Sequence, residues 1–259
     1  MTEITVGILG IGRLGEALAK AVLRHPAMSS LRVSRRNAAR VEDLVKHDPR
    51  VMPTDPEQMV DECDYLIVAL LPDVARSVLP ALKFEARHHV ISAVAEISHA
   101  ELQALTRGAG SACRLLALPA IAGGRQTLPM YPSSASAELL FGRDHDLFAI
   151  SSEKEFLSLW SVTGLLSAVM MVGEVAASWL VSAGIDPKQA NSYARVLFSE
   201  VHAATADGIA HGIEHVSTPG GLNAMAYQHL KAAGCPGHVR DSLQNISSRL
   251  LASNKIKPE

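Results

Sequence analysis

The sequence has almost no excess charge. Its 24 Lys and Arg face 26 Asp and Glu, a formal net of −2 over 259 residues. That balance speaks against a general nucleic-acid binder or a polybasic membrane protein, while leaving room for a local anion site. Cysteines are few: Cys63, Cys113 and Cys235 are odd in number, far apart and in no metal-ligand spacing, so no metal site is expected. Long apolar runs are missing as well. The longest stretches, Tyr65–Leu71 and Leu165–Gly173, read as strand-sized, short of the roughly 18 residues of a membrane helix. No basic, apolar and small-residue leader precedes the first patterned segment, so a soluble, cytoplasmic protein is expected. What remains is a globular composition, 19% charged and 48% hydrophobic. At about 150 residues per domain, the length suits one large domain or two modest ones, with enough chain to bury a core.

Thr5–Leu9 is an apolar, partly β-branched run that suits a buried parallel strand. A glycine turn follows, and from Gly12 to Arg24 the apolar positions Leu14, Ala17, Leu18, Ala21 and Val22 recur at helical spacing until Pro26. Further strands are expected at Leu31–Ser34, Tyr65–Leu70, His89–Val94 and Arg114–Leu118, with a helix over Ala38–Lys46 and another marked by Val74, Val78 and Leu82. Ser98-x-x-Glu101 and Ser152-x-x-Glu155 are capping boxes that open helices. Leu147–Ile150 and Ser167–Val172 read as the last strands. Strands alternating with helices predict an α/β fold with a Rossmann-type parallel sheet and right-handed crossovers. Beyond residue 172 only helices are expected. Asp186-Pro187 reads as N-cap and first position of a long helix reaching about His211 with Gly212 as its stop, Thr218-Pro219 opens another, and Val239, Leu243, Ile246 and Leu250 mark a last one. The division is therefore 1–172, a dinucleotide-binding domain, and 173–259, a smaller all-α domain.

Gly10-x-Gly12-x-x-Gly15 gains meaning from its place between the first strand and the first helix. The first glycine permits the tight turn, the second lets a pyrophosphate approach the backbone, and the third lets helix and strand pack closely. Helix N–H groups and the helix dipole then favour phosphate charge, so Gly10, Ile11, Gly12, Arg13, Leu14 and Gly15 are candidate cofactor contacts. A glycine turn with no nucleotide is the plain alternative. NAD enzymes usually carry an acidic residue after the second strand, to hold the ribose 2′-hydroxyl. Here the sequence reads Ser34-Arg35-Arg36, with no carboxylate until Glu42. Two guanidinium groups and a hydroxyl make a cradle for a 2′-phosphate, so NADP is the expected cofactor; a solvated arginine pair is the alternative. Ligands of open α/β sheets lie over the carboxyl ends of the strands, which adds Leu70, Leu71, Pro72 and Ala93 as a wall for the nicotinamide. These residues supply no acid or base.

Ser217-Thr218-Pro219-Gly220-Gly221-Leu222-Asn223 is the most informative segment of the second half. Thr218 can cap a helix, and two glycines leave the following N–H groups unshielded, an anion pocket suited to a substrate carboxylate. A plain capped helix start is the alternative. At this loop the chain resembles pyrroline-5-carboxylate reductases, which reduce a cyclic imino acid to proline with NAD(P)H. The resemblance rests on Val6-Gly7-Ile8-Leu9-Gly10-Ile11-Gly12-Arg13-Leu14-Gly15, the Pro72 strand end, Gly184-Ile185-Asp186-Pro187, and Ser217–Leu230. It implies a Rossmann domain followed by a helical domain that interlocks two subunits, with the active site between the cofactor domain and the P-G-G loop. On that basis Ser217, Gly220, Gly221 and Leu222 are expected to bind the substrate, its carboxylate through backbone N–H groups, and Thr218 and Asn223 are the candidate catalytic residues.

Departures from the family are specific. Its first threonine after P-G-G is Leu222 here, and Asn223 replaces the second. The P-N-T-P segment is reduced to Leu118-Pro119-Ala120-Ile121-Ala122, the S-G-S-S-P-A-Y loop has no counterpart, and Gly173–Ala183 is shorter than expected. Hydroxyacid dehydrogenases of related architecture use a lysine just after the nucleotide domain, yet none occurs between Lys154 and Lys188. Tyr193 and His202 are candidate proton donors on the long helix. His211-x-x-x-His215 has ligand-like spacing, but Gly212 is expected to break the helix between them. The remaining alternatives are a reductase of a different imine or keto substrate, and a non-catalytic dinucleotide-binding sensor. Ala190, Ala194, Leu197, Val201, Ala204 and Ile209 form a face that needs a cover, so a homodimer is expected.

Overall fold

The first apolar run folds as strand β1 (Ile4–Leu9), and the turn after it leads into helix α1 (Arg13–Val22). The structure, a computed structural model, describes residues 3–256. The pattern repeats through β2 (Met28–Ser34), α2 (Ala38–His47), β3 (Val51–Thr54), α3 (Pro56–Glu62), β4 (Tyr65–Val68), α4 (Pro72–Val78), β5 (His89–Ser92), α5 (His99–Leu105) and β6 (Ser111–Leu115). It then passes through β7 (Thr127–Tyr131), α6 (Ala135–Phe141), β8 (Asp146–Ala149) and α7 (Glu153–Thr163). Among the described residues these strands form one sheet, ordered β3-β2-β1-β4-β5-β6-β7-β8. Every neighbouring pair is parallel except β6 and β7, which run antiparallel, so the sheet is mostly rather than wholly parallel.

Successive strand residues face opposite sides of a sheet, and two apolar clusters result. Val6, Ile8, Ile67 and Ile91 pack with Leu18 and Val22 of α1. Leu66, Val68 and Val90 pack with Met59, Leu79 and Leu102. Both capping boxes form: Ser98 Oγ accepts from the Glu101 N–H at 3.1 Å, and Ser152 Oγ from the Glu155 N–H at 3.2 Å. Arg114 of β6 is wholly buried and ties the start of α7 to the sheet. Its Nη1 donates to Glu153 Oε1 at 2.5 Å and its Nη2 to the Ala95 carbonyl at 2.8 Å. The guanidinium also lies 5.1 Å from the Phe156 ring centroid and 5.3 Å from that of Trp160. A buried arginine persists only with partners of this kind.

Helices follow to the end: α8 (Leu166–Ser182), α9 (Pro187–Ala194), α10 (Val196–Ala204), α11 (Ile209–Val216), α12 (Leu222–Ala232) and α13 (Cys235–Ser253). The chain up to Trp160, joined by the residues from Arg249, forms one compact unit, and Ser161–Ser248 forms the other. This division lies earlier than 172/173 and returns the end of α13 to the first unit.

Several expectations need correction. Ser167–Val172 is not a strand but part of α8, and β3 and β7 arise where no strand was expected. The helical run Glu153–Ser182, interrupted only by a turn at Gly164-Leu165, is long and apolar enough to cross a membrane by length and composition, contrary to the reading of short apolar runs. The long helix expected after Asp186 is three. Asp186 does cap α9, its Oδ1 accepting from the N–H groups of Lys188 and Gln189 at 3.0 and 3.1 Å. The chain then turns at Arg195 and leaves helix before Gly208, whose φ of 113° suits glycine. Gly212 sits inside α11, where a Cβ would press on the Ala204 carbonyl. It is a packing glycine rather than a stop.

Candidate cofactor cleft and substrate loop

The β1–α1 turn places its three glycines in three different backbone settings. Gly10 has φ of 100°, and a Cβ there would lie 2.5 Å from the Ala69 carbonyl oxygen. A Cβ on Gly15 would run into the Gly10 carbonyl, so helix and strand meet only through glycine. Gly12 differs: a Cβ would meet nothing within 4 Å. Its backbone faces open space, as a ligand's close approach requires. Gly12 is also the N-cap of α1 and supplies no side chain to its free N–H groups.

The turn opens onto a cleft of about 1130 Å³. It gathers Gly10, Ile11, Gly12, Arg13 and Leu14 with Ser34, Arg35 and Arg36, and with Leu70 and Leu71. Three expected contacts lie outside the lining: Gly15 beneath the turn, Pro72 at the first position of α4, and the buried Ala93, whose N–H donates to the Val68 carbonyl. Ser34 Oγ accepts from the Gly10 N–H at 2.9 Å and ties the end of β2 to the turn. Glu16, in the first turn of α1, is held below the usual carboxylate range by its hydrogen bond to Lys20, with Arg40 adding to the effect. Both cations offset its charge beside the glycine turn.

Sequence order hides one acidic residue. Ser34 and Thr54 are partners in the β2–β3 ladder, so the residues after them emerge side by side. Asp55 Oδ2 therefore lies 3.6 Å from Arg35 Nη1, and Arg35 Nη2 donates to the Pro53 carbonyl at 3.3 Å. Asp55 lines the cleft, as do Asn37 and Asp73. Along the chain no carboxylate follows β2 until Glu42, but in space Asp55 stands beside its end. The only available signal was the short β-branched run Val51–Thr54, which contains Pro53.

In the helical unit, Ser217–Gly221 joins α11 to α12. Thr218-Pro219-Gly220-Gly221 is a type II turn, closed by the Gly221 N–H on the Thr218 carbonyl at 2.9 Å with Gly220 at φ of 73°. Helix α12 starts only at Leu222, capped by Gly221, so Thr218 and Pro219 are not its cap and first residue. Three roles change as a result. The Gly221 N–H is already engaged, Thr218 Oγ1 caps nothing, and Asn223 Nδ2 is spent on the Val216 carbonyl at 3.1 Å. The exposed first turn of α12, beginning at Leu222, keeps free donors.

Tyr193 and His202 are both exposed. His211 and His215 stack on α11, ring centroids 6.3 Å apart, and the described residues contain no cluster of three metal-ligating side chains. A second cavity, about 440 Å³, lies within the helical unit between α8, α9 and the start of α10. It is lined by Glu174, Asn191, Arg195 and Phe198 among others, none of them an expected site residue.

Residues 5–96 match the family model described as NADP oxidoreductase coenzyme F420-dependent. No curated protein sequence matches the chain. Among solved structures, a Plasmodium falciparum pyrroline carboxylate reductase with NADP bound superposes with a TM-score of 0.78 at 17% identity, covering 98% of this chain and 99% of that one. The Streptococcus pyogenes 1-pyrroline-5-carboxylate reductase gives 0.77 at 20% identity, over 96% and 99%. The Coxiella burnetii pyrroline-5-carboxylate reductase gives 0.78 at 15% identity, over the whole of both chains. The chain thus carries an NADP oxidoreductase-type domain at residues 5–96 within the fold of pyrroline-5-carboxylate reductases.

Proposed function

We propose that the protein is an NADPH-dependent reductase of a carboxylate-bearing cyclic imine, of the pyrroline-5-carboxylate to proline type. The observation that carries the reading is the cleft. An open Gly12 and uncapped N–H groups at the start of α1 fit a pyrophosphate, and Arg36, without an ion pair or hydrogen bond among the described residues, offers its charge to a 2′-phosphate. NADPH, when bound, supplies a hydride. The chain's own contribution is to bind and orient. Leu70 and Leu71 form an apolar wall, and the first turn of α12 offers N–H donors for a carboxylate. A protonated imine is already electrophilic, so positioning suffices and no strong acid is required.

The whole-length fold match to reductases of pyrroline-5-carboxylate supports that substrate. The exposed Leu222, where the family carries threonine, favours a second reading: the same reaction on a different carboxylate-bearing imine. The reading includes a homodimer, since α8 exposes a broad apolar surface that a second copy would cover. NADPH oxidation with pyrroline-5-carboxylate, against a blank lacking substrate, tests it. Turnover that forms proline is expected. No turnover with NADPH still bound would remove the substrate assignment and leave the dinucleotide site.

A further inference from the structure

Two arginines follow β2, but they are not equivalent. Arg35 is held on the β3 side by Asp55 and the Pro53 carbonyl, whereas Arg36 has no hydrogen bond or ion pair among the described residues. The β2–β3 register produces this difference, because it sets Arg35 directly beside Asp55. Both members of the pair are more than half exposed, so their contact is weak and easily rearranged.

Resting on the NADPH reading above, we infer that Asp55 sets cofactor choice: Arg36 holds the 2′-phosphate, and Arg35 acts mainly by neutralising Asp55. The electrostatics are simple. A 2′-phosphate brings close to two negative charges into a cleft that already contains a carboxylate, and like charges repel. Paired with Arg35, Asp55 is partly compensated and the phosphate is tolerated. An unphosphorylated ribose instead offers a 2′-hydroxyl, which a carboxylate accepts from readily. Asp55 therefore pulls toward NADH while Arg36 pulls toward NADPH. The chain holds both elements and should bind both cofactors, with a preference for NADPH smaller than its arginine pair implies.

The test is fluorescence titration of NADPH and NADH into the full chain and four variants, with thermal unfolding to confirm that each is folded. Asp55→Asn should tighten NADPH about threefold and weaken NADH by a similar factor, a scale set by exposed charge pairs. Arg36→Met should weaken NADPH about tenfold or more and leave NADH nearly unchanged, since it removes a charge-assisted contact. Arg35→Met should weaken NADPH about threefold, and the double variant Arg35→Met/Asp55→Asn should restore it to within about twofold of the parent. A double variant as weak as Arg35→Met would overturn the inference, because Arg35 would then hold the phosphate itself. A cofactor ratio unmoved by Asp55→Asn would overturn it as well. In either case NADPH binding by the parent leaves the dinucleotide reading intact. A parent that binds neither cofactor would sink both.

Discussion

His88 shows how one buried side chain makes stability depend on pH. It is fully buried, its Nδ1 accepts from the Glu85 N–H at 2.7 Å, and its Nε2 lies 2.9 Å from the Val60 carbonyl. That pairing needs one lone pair and one N–H, which only the neutral ring with its proton on Nε2 provides. Burial accordingly lowers its pKa from the ordinary 6.5, and burial does the same at His99 and His145. The unfolded chain takes up protons near 6.5 while the folded one resists until lower pH. Stability is therefore complete above about 6.5 and falls as pH drops below it. The melting temperature should be flat between about pH 8 and 7 and decline below about 6.5. His88→Asn should lower it at every pH but shallow the decline. An undiminished acid slope in that variant, followed by circular dichroism, would assign the effect elsewhere. Burial also pushes the Cys63 thiol up to about 12 and the Cys113 thiol to about 11, which makes both poor nucleophiles.

Elements were legible where local chemistry decides them. The β1–turn–α1 unit, the two capping boxes and the Asp186 cap stand as the sequence indicates, because each is fixed within a few residues. Strands β3 and β7 were not legible: each is four or five residues long and contains a proline, which local reading takes as a break. Helix α8 is ambiguous in the sequence for the opposite reason. Its run Leu166–Val172 is apolar without alternation, and periodicity cannot separate such a stretch from a buried strand. The same limit applied to the site, where the cleft's first wall was readable but Asp55 enters only through strand pairing. The β1–α1 turn also yields a prediction that separates fold from binding. Gly12→Ala meets open space and has an ordinary φ of −84°, so stability should change by less than about 0.5 kcal/mol. NADPH binding should nevertheless weaken about tenfold or more, as the methyl group occupies the approach to the backbone. Gly15→Ala must instead displace the Gly10 carbonyl and should cost about 2 kcal/mol of stability, read by urea unfolding. Equal stability losses in the two variants would refute the assignment of separate roles.

At the scale of the whole molecule, the exposed apolar surface of α8 is the feature a single chain leaves unexplained. Only 22% of the most apolar window in Glu153–Ser182 is buried, and Val169, Met170, Met171, Val172, Val175 and Trp179 are all more than half exposed. Soluble proteins rarely leave a continuous patch of this kind in water. The helical unit contains few buried apolar side chains of its own: among the helices from α8 to α12, Ala190 and Ala194 are the only buried hydrophobic residues, both in α9. A segment of about 90 residues with so little core gains most from apolar burial against a partner. Two covers fit the surface, a second copy of the chain or a lipid bilayer, and they predict different behaviour. The homodimer predicts twice the chain mass by light scattering at micromolar protein, without detergent and unchanged by its addition. It also predicts that Trp179→Glu shifts the population toward monomer, because a charge placed in a desolvated interface must be neutralised or expelled. A monomer that aggregates without detergent and partitions into lipid vesicles would give α8 to the membrane instead. A soluble, non-aggregating monomer at that concentration would remove the dimer.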